Sequence, residues 1–182
     1  AYAAKAVEEE IVATSAIESI DFDRSSVRSI MLGNAPKDNQ ENRIYGLKLG
    51  FEFISDRHNH ITEENIHKLY MMAIGNFLEG DDRLRDGEFY RHDDVYVVGG
   101  DGVVHRGIGS GKLPGYMKQF VDFANADDGI NDLLKAAMLH FDIAYLHPYF
   151  DGNGRMARLL HMWFLIQKGY ESTLFVPMSS YI

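Results

Sequence analysis

From His147 to Arg158 the chain runs His147-Pro148-Tyr149-Phe150-Asp151-Gly152-Asn153-Gly154-Arg155-Met156-Ala157-Arg158, which sets one base, one carboxylate and two cations around a glycine-rich turn. An imidazole with an ordinary pKa of about 6.5 can accept a proton near neutral pH, so His147 is the candidate base. Asp151 suits Mg²⁺, which takes one or two protein carboxylates together with phosphate oxygens and water. Gly152 and Gly154 carry no side chain and would let a phosphate approach the backbone closely. Arg155 and Arg158 stand i, i+3, where each cation opposes the N-terminal dipole of a helix by about 0.3–1 kcal/mol. Two of them there make sense if an anion sits between. The residues together read as transfer of a phosphate-centred group to a nucleophile activated by His147. An N-capped core helix, with Asp151 as cap and the arginines on the surface, explains each residue singly but not the set.

Two helices must hold this loop. Apolar residues at Ile130, Leu133, Leu134, Ala137, Met138, Phe141 and Tyr145 recur at helical spacing and predict a buried helix over 131–146. Pro148 stops it, because it disfavours the α conformation at His147 and has no N–H to donate. Met156, Leu159, Leu160, Trp163 and Phe164 restart the period, and Gly169 ends it. Asp151 to Gly154 therefore lie at a helix N-terminus, whose unpaired N–H groups attract anions.

These residues resemble the signature of the Fic family, H-P-F-x-[D/E]-G-N-G-R-x-x-R, with Tyr149 in place of Phe. The resemblance implies an all-α Fic fold, a helical bundle around two core helices joined by this loop, with a small β-hairpin flap. It also implies transfer of AMP from ATP to a hydroxyl side chain (Tyr, Thr or Ser) of a target protein, with release of pyrophosphate. By position His147 looks like the general base and Asp151 the Mg²⁺ ligand. Gly152, Asn153 and Gly154 resemble the anion hole for the α- and β-phosphates, Arg155 a further phosphate contact, and Arg158 the arginine that holds the γ-phosphate. Tyr149 would keep the packing role of the Phe, its hydroxyl needing a polar partner or a path to water.

Some Fic proteins carry an inhibitory helix with the motif [S/T]-x-x-x-E-[G/N]. Thr14-Ser15-Ala16-Ile17-Glu18-Ser19 looks like it, with Ser19 at the last place, so the N-terminal helix, about 2–19, would be inhibitory. Glu18 would then pair with Arg158 and block placement of the γ-phosphate, since a carboxylate can take the cationic site a phosphate wants.

The whole chain sets bounds. At 182 residues and 46% apolar content it suits one domain. It contains no cysteine, which excludes disulfides and thiolate metal sites, and no signal peptide, membrane span or lipidation motif is seen; a cytoplasmic setting is expected. A formal charge of −9 argues against broad nucleic-acid or anionic-membrane binding. The resemblance covers about Thr14 to Ile182, and because Ser179 to Ile182 reads as a capped helix barely begun, the C-terminal part of the family domain, with its adenine-side residues, is expected to lie beyond it.

Between these ends, Ser25 to Leu32 reads as a short helix capped by serine and ended by Gly33. A polar connection, Asn34 to Asn42, leads to a helix with Ile44, Leu47, Phe51 and Ile54 on one face, weakened by Gly46 and Gly50 by about 1 kcal/mol each. His58 and His60 lack a third partner and read as solvated rather than as metal ligands. Thr62 caps a helix bearing Ile66, Leu69, Tyr70, Ala73 and Phe77 on one face. Glu79 to Asp94 reads as charged loop. Val95-Tyr96-Val97-Val98 and Val103-Val104-His105, flanking Gly99 to Gly102, predict a hairpin. In the family such a hairpin is a flap that holds the target segment by strand addition. Gly107 to Lys112 is not a phosphate-binding P-loop, since Arg106 and Leu113 stand where Gly and a hydroxyl are needed, and reads as a flexible connection. Pro114 then opens a helix with Met117, Phe120, Val121 and Ala124 inward.

Three functions stay open at this point: self-inhibited AMP transfer; removal of AMP, or transfer of another phosphate-containing group, at the same site; and a nucleotide-responsive binding module. The target, self-modification and assembly into homo-oligomers are not decided by the residues.

Overall fold

In the computed structural model, which describes residues 2–20, 22–100 and 102–181, seven α-helices and one hairpin are arranged around a single apolar core. The helix Asn153–Gln167 (α7) is the centre of that core, with Met156, Leu159, Leu160, Trp163 and Phe164 all buried. Gly169, at φ +94°, ends it in a left-handed turn in which Tyr170 N–H donates to Leu165 C=O at 2.9 Å. Trp163 packs edge-on against Phe53 and donates its indole N–H to Asn59 C=O at 2.9 Å, so its one polar atom is satisfied.

The helix Asp132–Leu146 (α6) packs along α7, but not by the face its periodicity predicted. Leu133, Leu134, Met138, Phe141 and Tyr145 are exposed, Phe141 by 63%, whereas Ala136, Leu139, Ile143 and Leu146 are buried. The helix is apolar almost all round, so two stripes compete in the sequence. The stripe of Ala136, Leu139, Ile143 and Leu146 is the buried one, and Lys135 turns inward beside it to reach Ala126 C=O at 2.7 Å and Asp128 at 3.0 Å.

Tyr2–Ile17 (α1) stops two residues short of the predicted end. Ser19 adopts φ +56° and Ile20 N–H reaches back to Ser15 C=O at 2.9 Å, a left-handed cap that leaves Glu18 on the turn rather than in the helix. Arg24–Met31 (α2) is capped by Asp23, not by serine, because its carboxylate accepts Ser25 N–H at 3.2 Å. Asp38 likewise starts Asn39–Ser55 (α3) earlier than expected and shortens the polar connection. Thr62 caps Glu63–Ala73 (α4) as predicted, accepting Asn65 N–H at 3.1 Å. Phe77 is not on that helix but in the 3-10 turn Gly75–Phe77, from which it folds back against α3.

That return explains the two glycines that weaken α3 as a sequence. A Cβ at Gly46 would overlap the Phe77 ring and stand 2.9 Å from Ala73 C=O, and one at Gly50 would stand 3.0 Å from Ala73 Cβ. They let α3 and α4 touch backbone to backbone. Gly46→Ala is expected to destabilise the fold by about 1–3 kcal/mol through overpacking despite alanine's better helix propensity, read as a lowered melting temperature.

Tyr96–Gly99 (β1) and Gly102–Arg106 (β2) pair antiparallel, with Tyr96 opposite Arg106 and an irregularity between Val97 and Val98. The first strand is thus set one residue later than predicted, with Val95 before it, and the second extends one residue beyond the predicted 103–105 at each end. Asp101 and Ile182 lie outside the described residues, as do the side chains of Val97, Val103 and Val104. Gly107 to Lys112 is held rather than loose: Gly107 N–H donates to Val95 C=O at 3.1 Å and Ile108 N–H to Leu146 C=O at 3.3 Å. Leu113–Asn125 (α5) follows with Leu113, Met117, Phe120 and Ala124 buried, and after α7 come 3-10 turns at Glu171–Phe175 and at Met178–Tyr181, the second where the start of a capped α-helix was expected from Ser179.

Candidate active site

His147 is the residue at which α6 ends. It takes φ +52°, ψ +59°, a left-handed conformation uncommon outside glycine, so the chain reverses there before Pro148. Its half-buried ring places Nδ1 3.3 Å from Ala144 C=O. Burial pushes its pKa below the ordinary value; Arg91 and His105 add to that, while the Ala144 carbonyl and the Glu18 carboxylate oppose it.

The loop to α7 is folded by its own side chains. Asn153 is buried and clasps Tyr149 twice, accepting its N–H at 3.0 Å and donating to its C=O at 2.8 Å. The side chain of Asn153 is therefore engaged within the loop. Tyr149 is fully buried and stacks on Tyr70 with ring centroids 3.7 Å apart. Its hydroxyl finds neither of the two outlets expected of it among the described residues. Tyr70 in turn donates to Asp151 C=O at 3.3 Å. Gly152 sits at φ +83° as the N-cap of α7, where a Cβ would stand 2.7 Å from Ile74 Cγ2. Glycine is required there on both counts.

Asp151 is half exposed and accepts Gly152 N–H at 2.6 Å and Arg155 Nη2 at 3.2 Å. Among the described residues no three His, Cys, Asp or Glu side chains form a metal cluster. A single half-exposed carboxylate fits Mg²⁺, which draws its other ligands from phosphate and water. Arg155 is buried beneath this carboxylate.

Arg158 does not face open solvent. Its Nε donates to Thr14 Oγ1 at 2.6 Å and its Nη2 to Glu18 Oε1 at 2.5 Å. The same Glu18 oxygen lies directly over Gly154, in the space a Cβ there would need, with Arg158 Nη1 3.2 Å from that point. A carboxylate thus stands where Gly154 leaves room for an anion, while the space at Gly152 is taken by Ile74. Thr14, Glu18, Gly154 and Arg158 are brought together, the Glu18–Arg158 pair being the one the resemblance implied, with His147, Asp151 and Arg155 around the same end of α7. On the other side of His147 is the hairpin: His105 lies 6.4 Å from the His147 ring, centroid to centroid, and its Nε2 is 2.8 Å from Tyr145 C=O. Tyr96 and Val98 on β1 are exposed.

Sequence reasoning missed Arg91, which is buried against the carbonyls around His147. In a loop that also contains Arg83 and Arg85, nothing in the residue order singles it out. Tyr70 was read as core, and its stack beneath Tyr149 was not foreseen.

Against known proteins, the family model described as Fic/DOC matches residues 60–165. The chain is 30% identical over 156 residues to a protein named Protein adenylyltransferase Fic from Drosophila willistoni, covering 83% of this chain and 29% of that protein. A protein of the same name from Culex quinquefasciatus is 29% identical over 157 residues. This chain thus spans well under half the length of those relatives. A Fic domain containing signaling protein from Bacteroides thetaiotaomicron superposes with a TM-score of 0.80 at 25% identity, over 92% of this chain and 65% of that one. A Fic family protein from Desulfovibrio desulfuricans shares the fold at a TM-score of 0.78 and 19% identity, over 98% of this chain and 53% of that one. With the loop, its glycines and the arginine pair in these positions and the family model spanning more than half its length, the chain belongs to the Fic/DOC family.

Proposed function

We propose that the protein transfers AMP from ATP to a hydroxyl side chain of a target protein and that Glu18 holds it inactive until displaced. The observation that carries this reading is the Glu18 carboxylate seated on Arg158 and over Gly154, an anion already occupying an anion site. The relatives' name, Protein adenylyltransferase Fic, supports the choice of AMP.

With Glu18 withdrawn, the terminal phosphate of ATP takes its place on Arg158, and the N-terminal N–H groups of α7 at Asn153 and Gly154 face the inner phosphates. Asp151 would hold Mg²⁺, which when bound offsets the charge of the departing pyrophosphate. His147 takes the proton from the target hydroxyl as its oxygen bonds to the α-phosphorus and the bond to the β-phosphate oxygen breaks. Among the described residues β1 and β2 pair only with each other, so an outer edge of this two-stranded sheet would be able to take an extended target segment that presents its side chain toward His147.

Because burial lowers the His147 pKa, the base is neutral at neutral pH. Transfer is expected to be steady with respect to this group above pH of about 6.5 and to fall only at lower pH as the ring protonates. The rate of label incorporation against pH checks this; an acid limb above pH 7 would contradict it. The function itself is tested by mass spectrometry of lysate proteins treated with ATP and a Glu18→Gly form, with Glu18→Gly/His147→Ala as control. AMP adducts made only by the first support it, and none from either would refute it. Tight ATP binding without adducts would favour the binding module.

A further inference from the structure

Arg91 is 2% exposed and, among the described residues, no carboxylate bonds to it. Nε donates to His147 C=O at 2.7 Å, Nη1 to Asp93 C=O at 2.6 Å, and Nη2 to the carbonyls of Ile108 and Leu146, while its own N–H donates to Pro148 C=O at 2.9 Å. The neighbouring Asp94 bears on its charge but is bonded to Arg106 at 2.7 Å and Ser110 N–H at 3.2 Å. Burying a cation without an ion-pair partner is costly, so what it holds must matter to the fold or to the site.

Those carbonyls belong to three separate stretches of backbone. Asp93 leads into β1, Ile108 leaves β2, and Leu146 and His147 are the last carbonyls of α6, which a helix leaves unpaired and whose negative dipole end favours a cation. The packing is tight enough that a Cβ at Gly107 would stand 2.7 Å from Arg91 Nη2 and 3.3 Å from His147 Cβ. His147 itself is held at φ +52°, and a non-glycine residue stays in that region only where its surroundings fix it.

We propose that Arg91 is a positioning residue, a buried clip that joins both feet of the hairpin to the turn bearing His147 and so fixes the docked target segment at one distance from the imidazole. The inference rests on the transfer reading. Arg91 makes no contact with the Arg158 and Gly154 site, so nucleotide binding should not depend on it. Only the step that needs the hydroxyl and the base in register should suffer, and a misplacement of ~1 Å costs about 10²-fold. A lysine keeps the charge but offers one nitrogen in place of a planar fork, and cannot hold three segments together.

The test compares Arg91→Lys and Arg91→Met in the Glu18→Gly background. Arg91→Lys is expected to retain its helical circular dichroism and its affinity for ATP with Mg²⁺ by equilibrium dialysis. Its maximal rate of labelling lysate proteins from α-labelled ATP should fall about 10²-fold with KM for ATP unchanged. Amide hydrogen exchange should rise only over 93–108 and 144–149. A rate within about threefold of the parent, a loss carried by KM, or protection lost throughout the helices would overturn the proposal. So would unfolding of both variants, which would make Arg91 a scaffold residue only. If the Glu18→Gly parent labels nothing, the transfer reading has failed; the clip then stands if exchange rises in those two stretches alone and falls if it does not.

Discussion

Replacing His147 by alanine is expected to reduce AMP transfer by about 10²–10⁴-fold at saturating ATP, the range typical of losing a positioned base. The size follows from where the ring is. His147 ends α6 in a left-handed turn, is half buried, and has a pKa lowered by that burial, so at neutral pH it is an unprotonated base. The anion site over Gly154 is built from α7 and Arg158, so the affinity for ATP should survive the change. Initial rates and nucleotide dissociation constants measured on the same preparations check both halves. An unchanged rate would remove His147 from the chemistry.

Glu18→Gly should act in the opposite direction and raise transfer by about 10–10²-fold, because a hydrogen bond to a charged group contributes about 1.5–3 kcal/mol net and each 1.4 kcal/mol is tenfold in a population. The contact at stake is the 2.5 Å pair between Glu18 and Arg158. Thr14 stays on Arg158 Nε at 2.6 Å, so the guanidinium keeps its aim when the carboxylate goes. Label incorporated into lysate proteins per unit time, for parent and variant, gives the ratio. A variant that gains no transfer and instead loses the ability to remove AMP would assign the pocket to the reverse reaction.

The loop was legible because each of its residues is demanded by local chemistry. Gly152 must reach φ +83° against Ile74, and Thr14 and Glu18 were found through the likeness of residues 14–19 to the family's inhibitory motif, Thr14 on α1 and Glu18 on the turn after it both bonding to Arg158. What could not be read depended on contacts distant in sequence. α6 offers two apolar stripes, and only the presence of α7 decides that Leu139 and Ile143 are inside while Leu134 and Phe141 are not. Gly46 and Gly50 weakened a helix prediction because the close approach of α4 and Phe77 that requires them is encoded elsewhere in the chain. Asp23 and Asp38 moved two helix starts by a residue or more, since several neighbouring polar residues could each have capped. Arg91 gave no local signal at all, because its partners are carbonyls, which every residue has.

The most direct measurement compares ATP labelled at the α-phosphate with ATP labelled at the γ-phosphate, each given with Mg²⁺ to the Glu18→Gly form and a protein mixture. Displacement of Glu18 by the terminal phosphate, with attack at the α-phosphorus, predicts protein labelled by the first and not by the second. Label arriving from the γ-phosphate, or from neither, would contradict it.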